Sequence, residues 1–317
     1  MQHHYDLELV TLSQPSMVTI GVFDGMHRGH QQLIRALVEK ARAANALSVV
    51  LTFYPHPDAV LRGITGRYYL TTPEERAQLM GDLGVDQVVT LAFNDEFRQV
   101  RAAAFVNSLV ERLKMIELTV GADFALGYQR EGNVEFLRAR GAEQGFAVRV
   151  FDLVRDGGSE KISSMSIREA LSVGDVEQAR DWLGRSYRVT GEIVQGEQRG
   201  RKIGFPTANV AVWQDLVIPA TGVYAGWTYL NGERHMAVTN IGYRPTFEGQ
   251  GMTVEVHLLD FDRAIYGETL TFTFEKRLRA EQKFSGIEAL IAQIAADSQA
   301  ARDYLLQASS PTPPPER

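Results

Sequence analysis

A chain of 317 residues is long for one domain, and its 44% apolar and 23% charged residues suffice for two ordinary buried cores. The formal net charge of -6 leaves no basic excess for a nucleic-acid backbone, and the lack of cysteine excludes disulfides, thiolate nucleophiles and Cys-based zinc sites. Met1–Val10 lacks the basic flank and apolar core of a signal peptide, and no run approaches the roughly 18 apolar residues of a spanning helix. The expectation is a cytoplasmic enzyme acting on small molecules, with no nucleic-acid or membrane partner and with homo-oligomerisation left open.

The first half alternates strand-like and helix-like segments. Val18–Phe23 is a short β-rich run ending in a Gly/Asp turn, and Gly29–Ala44 carries Leu33, Ile34, Leu37, Val38 and Ala41 on one helical face. Ser48–Phe53 reads as a strand stopped by Pro55. Thr72-Pro73-Glu74-Glu75 reads as a helix start, with Thr72 as N-cap and Glu75 closing a capping box. Strands follow at Gln87–Leu91, Leu118–Gly121 and Ala147–Phe151, separated by helices at Ala102–Arg112 and Val134–Gln144. Such alternation demands crossovers, hence a parallel sheet covered on both faces.

After about Leu183 the pattern changes to short, threonine-rich, alternating segments. Leu270–Phe274 has strict period two, and Tyr187–Val194, Gly222–Tyr229, Met236–Ile241 and Thr253–Leu259 are similar. Asn231-Gly232 is a hairpin turn. These features predict a small antiparallel barrel, followed by a helix over Ile287–Leu306 and a disordered Ser/Pro tail at 309–317. The expected fold is therefore α/β plus β, with a Rossmann-like first domain over 1–184 and a barrel domain over 185–308.

Two constellations carry chemistry. Gly21-Val22-Phe23-Asp24-Gly25-Met26-His27-Arg28-Gly29-His30 joins the first strand to the first long helix. In a parallel sheet this turn lies where nucleotides bind, its glycines admit a phosphate, and the helix N-terminus offers free N–H donors. His27 and His30, three apart, can both donate to one phosphate; a metal site or a solvated helix cap are the alternatives. The second is Gly200-Arg201-Lys202-Ile203-Gly204-Phe205-Pro206-Thr207-Ala208-Asn209, a cationic glycine loop suited to a polyphosphate, or else a β-turn with a solvated basic tip. Thr207 and Asn209 alternate toward one face, where their oxygens can help hold Mg²⁺.

The first string resembles the HxGH-type motif of nucleotidyltransferases, and the whole chain resembles bacterial bifunctional riboflavin kinase/FAD synthetases. Further matches are Thr52–Pro57, Leu70-Thr71-Thr72, Gly121–Phe124 with Gly127, Arg130 and Gly132, and Ile162–Arg168. In the second half the GRxxGFPTAN string of riboflavin kinases is followed by Gly222–Ala225, Asn240–Phe247, Glu255–Asp260, Tyr266-Gly267 and Arg279–Phe284. The resemblance spans about Val18 to Arg302. It implies an adenylyltransferase first domain and a riboflavin-kinase barrel, with ATP as co-substrate and riboflavin, FMN and FAD as substrates and products.

By that resemblance His27 and His30 stabilise the α-phosphate under attack, and Gly21, Phe23, Asp24, Gly25 and Asp123 line the nucleotide pocket. Ser163, Ser164 and Arg168 hold the departing pyrophosphate, although Ser163-Ser164 alone reads equally as an N-cap. Phe53, Pro55 and His56 are expected to contact flavin. In the kinase half, Gly200, Arg201, Lys202 and Gly204 are expected at the nucleotide phosphates and Thr207 and Asn209 at the metal. Glu255, an acid within an apolar-alternating strand, is expected to act as catalytic base, the alternative being a carboxylate on the solvent face of an edge strand. Arg279 and Phe284 are expected to contact flavin or a lid, the aromatic Phe284 alternatively to pack. Met165-Ser166 and Ala125-Leu126 depart from the family's usual Thr-basic and polar-Phe pairs, which implies retuned adenylylation. The competing readings are a monofunctional riboflavin kinase with an impaired first domain and a non-catalytic flavin-binding regulator.

Overall fold

The computed structural model describes residues 1–151, 162–196, 200, 203–246 and 249–307, and the chain forms two compact units, Met1–Ser163 and Ser164–Arg317. The expected tail at 309–317, together with Arg201 and Lys202, lies outside the described residues.

In the first unit the strands are β1 (Gln2–His4), β2 (Ser16–Ile20), β3 (Leu47–Tyr54), β4 (Gln87–Ala92), β5 (Met115–Val120), the short β6 (Ala125–Leu126) and β7 (Gly132–Asn133), and β8 (Ala147–Val150). Between them run α1 (Arg28–Ala43), α2 (Pro57–Arg62), α3 (Pro73–Asp82), α4 (Ala102–Leu113) and α5 (Val134–Gln144). The main sheet is parallel, in the order β1-β4-β3-β2-β5-β8. Period two sends Val49 and Leu51 to one face, against α4, and Val50 to the other, against α1 and α3. Each fully buried Leu, Ile or Val contributes roughly 1.5–3 kcal/mol, so α1 is held by Leu33, Ile34, Leu37 and Val38.

The chain moves outward from β2 through β3 to β4, then crosses back to place β5 on the other side of β2. This reversal opens a crevice beyond the carboxyl ends of β2 and β5, where open α/β sheets bind ligands. Edge strand β1 was not anticipated; three residues are too few to show a period, and pairing with β4 decides it.

The second unit begins with α6 (Ser164–Val173) and α7 (Val176–Leu183). The sequence expectation put the division after residue 184. By its contacts this helical pair clusters with the second unit, α6 packing on α7 and α7 on the barrel. The barrel strands are β9 (Tyr187–Val194), β10 (Ala208–Val212), β11 (Gly222–Leu230), β12 (Glu233–Thr246), β13 (Gly249–Leu258) and β14 (Thr269–Arg279), closed in the order β10-β13-β12-β11-β14-β9. Closure removes the sheet edges. Phe272 and Phe274, fully buried, meet edge to face at 4.9 Å in the core with Tyr224. Asn231 (φ 50°) and Gly232 (φ 79°) make the expected left-handed hairpin turn.

The last helix, α8 (Ile287–Gln307), covers the outer face through Ala301 and Leu305, which pack with Val223, Trp227 and Val238. An ion pair fastens it: Arg279 Nε lies 3.0 Å from both Asp297 oxygens and Nη2 lies 2.8 Å from Oδ2. Asp297 is buried, so removing its carboxylate strands a guanidinium. Asp297→Ala should cost about 3 kcal/mol, read as a lower urea midpoint for the barrel unit. An unchanged midpoint would show that the pair contributes nothing.

Candidate active sites

The turn after β2 is built under backbone strain. Phe23 (φ 54°), Gly25 (φ 78°) and Met26 (φ 43°) are all left-handed, which costs a non-glycine residue about 1–3 kcal/mol and persists only where the surroundings over-determine it. Here they do. The Phe23 and Met26 side chains are buried, and the Met26 carbonyl accepts from Gln31 Nε2 at 2.8 Å. Asp24, 1% exposed, points away from solvent and accepts from the Leu70 N–H at 3.0 Å and from the Thr71 N–H and hydroxyl at 3.2 Å. Asp24 thus clasps the turn to the segment preceding α3.

His27 is the N-cap of α1: its Nδ1 accepts from the His30 N–H at 3.3 Å, which leaves the proton on Nε2. His27 therefore caps the helix, but it is buried and so is not the solvated cap of the alternative reading. The two imidazoles stack at 3.6 Å, 20° from parallel. Burial, then the neighbouring His27 ring, then the Arg76 charge push the His30 pKa well below the ordinary imidazole value. At neutral pH His30 is uncharged, and its buried Nδ1 has no hydrogen-bond partner among the described residues. No acidic residue occupies the first turn of α1. The result is a positive helix end bearing two stacked imidazoles, suited to donating toward charge that develops on a phosphate. Among the described residues no group of three or more His, Cys, Asp or Glu could hold a metal ion.

Beyond β5, Asp123, Phe124, Ala125 and Arg130 border an open depression of about 410 Å³, and Arg130 Nη2 donates to the Asp123 carbonyl at 2.9 Å. Gly21 and Asp123 thus follow the carboxyl ends of paired strands. Phe53 packs against Phe93 and Phe97, with ring centroids 5.9 and 5.8 Å away, and Pro55 is exposed. His56 caps α2, accepting from the Asp58 N–H at 3.0 Å, and its own N–H donates to the Tyr69 hydroxyl at 2.9 Å. Ser163 ends the first unit, while Ser164 and Arg168 lie on α6 in the second, where Met165 is 49% exposed.

On the barrel, register supplies what spacing could not. Asn209 pairs with Glu255 across β10 and β13, and Glu255 pairs with Asn240 across β12. Directly opposed residues share a face, so the three form one row across three strands. Their neighbours Ala208, Val254, Val256 and Ile241 are buried, which puts the row on the outward face of the barrel. Glu255 is half-buried there, neither sealed in the apolar core nor on an edge strand.

Thr207 precedes β10 and lines a cavity of about 490 Å³ with Pro206, Ile193, Leu258, Phe261 and Ile265. Gly200 accepts from the Ile203 and Phe205 N–H groups at 3.1 and 2.9 Å, folding the loop back. A Cβ at Gly200 would fall 2.2 Å from the Phe205 carbonyl oxygen, so only glycine permits that return. Gly204 (φ 87°) continues it. Arg279, expected at flavin, gives its guanidinium to Asp297, and Phe284 lies 5.7 Å beneath the same group.

Sequence reasoning missed Arg76. The buried residues of α3 are Pro73, Arg76, Ala77 and Met80, so the arginine stands on an apolar stripe. That spacing was the available signal.

Two family models match the chain: FAD synthetase over residues 10–166 and riboflavin kinase over residues 183–305. Curated relatives named bifunctional riboflavin kinase/FMN adenylyltransferase include those of Listeria monocytogenes, 39% identical over 91% of this chain and 92% of theirs, and Pseudomonas fluorescens, 41% identical over 90% and 92%. The Escherichia coli relative of that name is 37% identical over 91% and 92%. A crystal structure described as a macrolide-efflux protein from Streptococcus pneumoniae matches with a TM-score of 0.85 at 29% identity, covering 95% of this chain and 98% of that one. Among the described residues of the present chain, no helix is long and apolar enough to cross a membrane. With both models matched in order and these identities sustained across nine-tenths of its length, the chain belongs to the bifunctional riboflavin kinase/FMN adenylyltransferase family.

Proposed function

We propose that the chain makes FAD from riboflavin in two ATP-consuming steps, the first on the barrel and the second at the histidine turn. The observation that carries this reading is that each unit holds its own polar constellation: stacked imidazoles at a helix N-terminus in one, and the Asn209–Glu255–Asn240 row in the other.

In the kinase step Glu255 accepts the proton of the riboflavin 5′-hydroxyl. The oxygen then bonds to the γ-phosphorus of ATP, the bond to the bridging β–γ oxygen breaks, and ADP leaves. Thr207 and Asn209 suit Mg²⁺, which takes hard oxygen ligands and is usually held by a few protein groups plus substrate phosphates. Gly196 gives the Asn209 amide its room, since a Cβ there would fall 2.2 Å from Nδ2. When bound, Mg²⁺ neutralises charge on the β- and γ-phosphates. Arg201 and Lys202 are assigned to the same phosphates, and Arg279 with Phe284 to the border of the flavin site.

In the adenylyl step an FMN phosphate oxygen bonds to the α-phosphorus of a second ATP, and the bond to the α–β bridging oxygen breaks, releasing pyrophosphate. His27 and His30 donate to the non-bridging oxygens as charge accumulates on them. Asp123 and the depression beside it are assigned to the nucleotide or flavin.

Purified protein given riboflavin, ATP and Mg²⁺ should yield FMN and then FAD on chromatography, and chelation with EDTA should stop FMN formation. FMN as the sole product would reduce the reading to a riboflavin kinase. Unchanged riboflavin with folded protein would refute it and leave a flavin-binding regulator.

A further inference from the structure

We infer that Arg76 is a positioning residue for adenylyl transfer: its buried guanidinium ties the ends of β2 and β3 beneath the histidine turn and keeps there a positive charge with two donors that no group among the described residues accepts from. The inference rests on the adenylyl reading of the turn.

Arg76 is 0% exposed on the second turn of α3. Its Nη1 donates to the Val22 carbonyl at 2.7 Å, the Thr52 hydroxyl at 3.0 Å and the Phe53 carbonyl at 3.2 Å. The Thr52 hydroxyl also donates to the Val22 carbonyl, at 2.8 Å. Val22 precedes the left-handed Phe23, and Phe53 stands at the end of β3, so one nitrogen fixes the two strand ends from which the site opens.

The remaining donors are unspent. Nε and Nη2 are buried without a hydrogen-bond partner among the described residues, although the nearby Asp24 and Glu74 carboxylates favour the charge electrostatically. A guanidinium keeps its proton even when burial lowers its pKa, as it does here. An unpaired buried cation is costly unless something compensates it. Glu74, two residues earlier, is committed to the Tyr5 hydroxyl at 2.6 Å, and Asp24 is clasped to Leu70 and Thr71. A nucleotide polyphosphate entering the crevice brings further negative charge toward this guanidinium. The free enzyme thus holds a positive potential matched to its substrate, and the ties place His27 and His30 against the phosphate it attracts.

The experiment uses the full chain with Arg76→Lys, Arg76→Met and Thr52→Val, and measures FMN adenylylation as kcat and KM for ATP. Riboflavin phosphorylation by the same preparations monitors the second unit. Arg76→Met should lower the adenylylation kcat about 100-fold, the usual cost of a reacting group displaced by about 1 Å, and raise KM for ATP. Arg76→Lys keeps the charge but not the fork, so KM for ATP should stay near the parent value while kcat falls. Thr52→Val keeps the whole arginine and loses one tie, so kcat should fall several-fold at constant KM for ATP.

The inference is overturned if folded Arg76→Met matches the parent, or if Lys and Met change kcat and KM alike. It is also overturned if both arginine variants fail to fold while Thr52→Val is kinetically normal, because Arg76 would then serve only stability. A parent protein that makes no FAD from FMN would refute the adenylyl reading itself, a separate and visible outcome.

Discussion

Replacing Glu255 with glutamine should abolish FMN formation while leaving conversion of supplied FMN to FAD near the parent rate. The substitution keeps shape and removes only the ability to take a proton. Glu255 is half-buried and flanked by the buried Val254 and Val256, so its backbone position is fixed by the barrel wall and not by its own charge. A positioned general base contributes about 10²–10⁴-fold, and the fall in FMN production should be of that size. Chromatographic rates with riboflavin and with FMN as separate substrates measure both halves in one preparation. Loss of less than about tenfold in FMN formation would remove Glu255 as the base, because catalysis by position alone survives this change. Equal loss of both activities in folded protein would mean that the two chemistries are not divided between the units.

His30→Ala should do the converse, lowering adenylylation by about 10²–10³-fold, the cost of deleting one donor to a developing oxyanion, with riboflavin phosphorylation unaffected. Its companion is His27→Asn. The asparagine can still accept the N–H at the start of α1, so the helix cap that His27 supplies is retained while the imidazole is lost. If the histidine served only as a cap, His27→Asn would be active. Adenylylation that falls as far as in His30→Ala assigns the loss to the ring. Because the rings stack at 3.6 Å, protonating both would set two charges against each other, and a second proton is strongly disfavoured. A His27→Asn, His30→Ala double variant should therefore lose little more than either single variant, since the rings act as one unit.

Much of this was legible in the sequence, for reasons that are local. The stripe Leu33–Ile34–Leu37–Val38–Ala41 names the inner face of α1, strict alternation names β14, and Asn231-Gly232 names a left-handed turn, because each pattern is set by backbone geometry over a few residues. The HxGH-type string and GRxxGFPTAN carried the family resemblance that implies phosphate chemistry, whereas glycine spacing and side-chain type by themselves left a metal site, a helix cap or a solvated turn open. Tertiary structure decided whatever depends on a distant partner. Only the strand order sets β5 beside β2, and so opens the crevice into which the histidine turn faces. Only register aligns Asn209, Glu255 and Asn240, residues 46 and 15 positions apart along the chain but directly opposed across hydrogen-bonded strands. Only the fold brings Asp297 of α8 to Arg279, expected from the sequence at flavin or a lid, and only the fold packs α7 on the barrel. Arg76 is the sharpest instance. A charge on an amphipathic helix is ordinarily solvated, and nothing within its own turn of helix reveals the carbonyls of Val22 and Phe53 that hold it inside. Periodicity tells which face of an element is inward; what waits on that face is fixed only when the long-range contacts close.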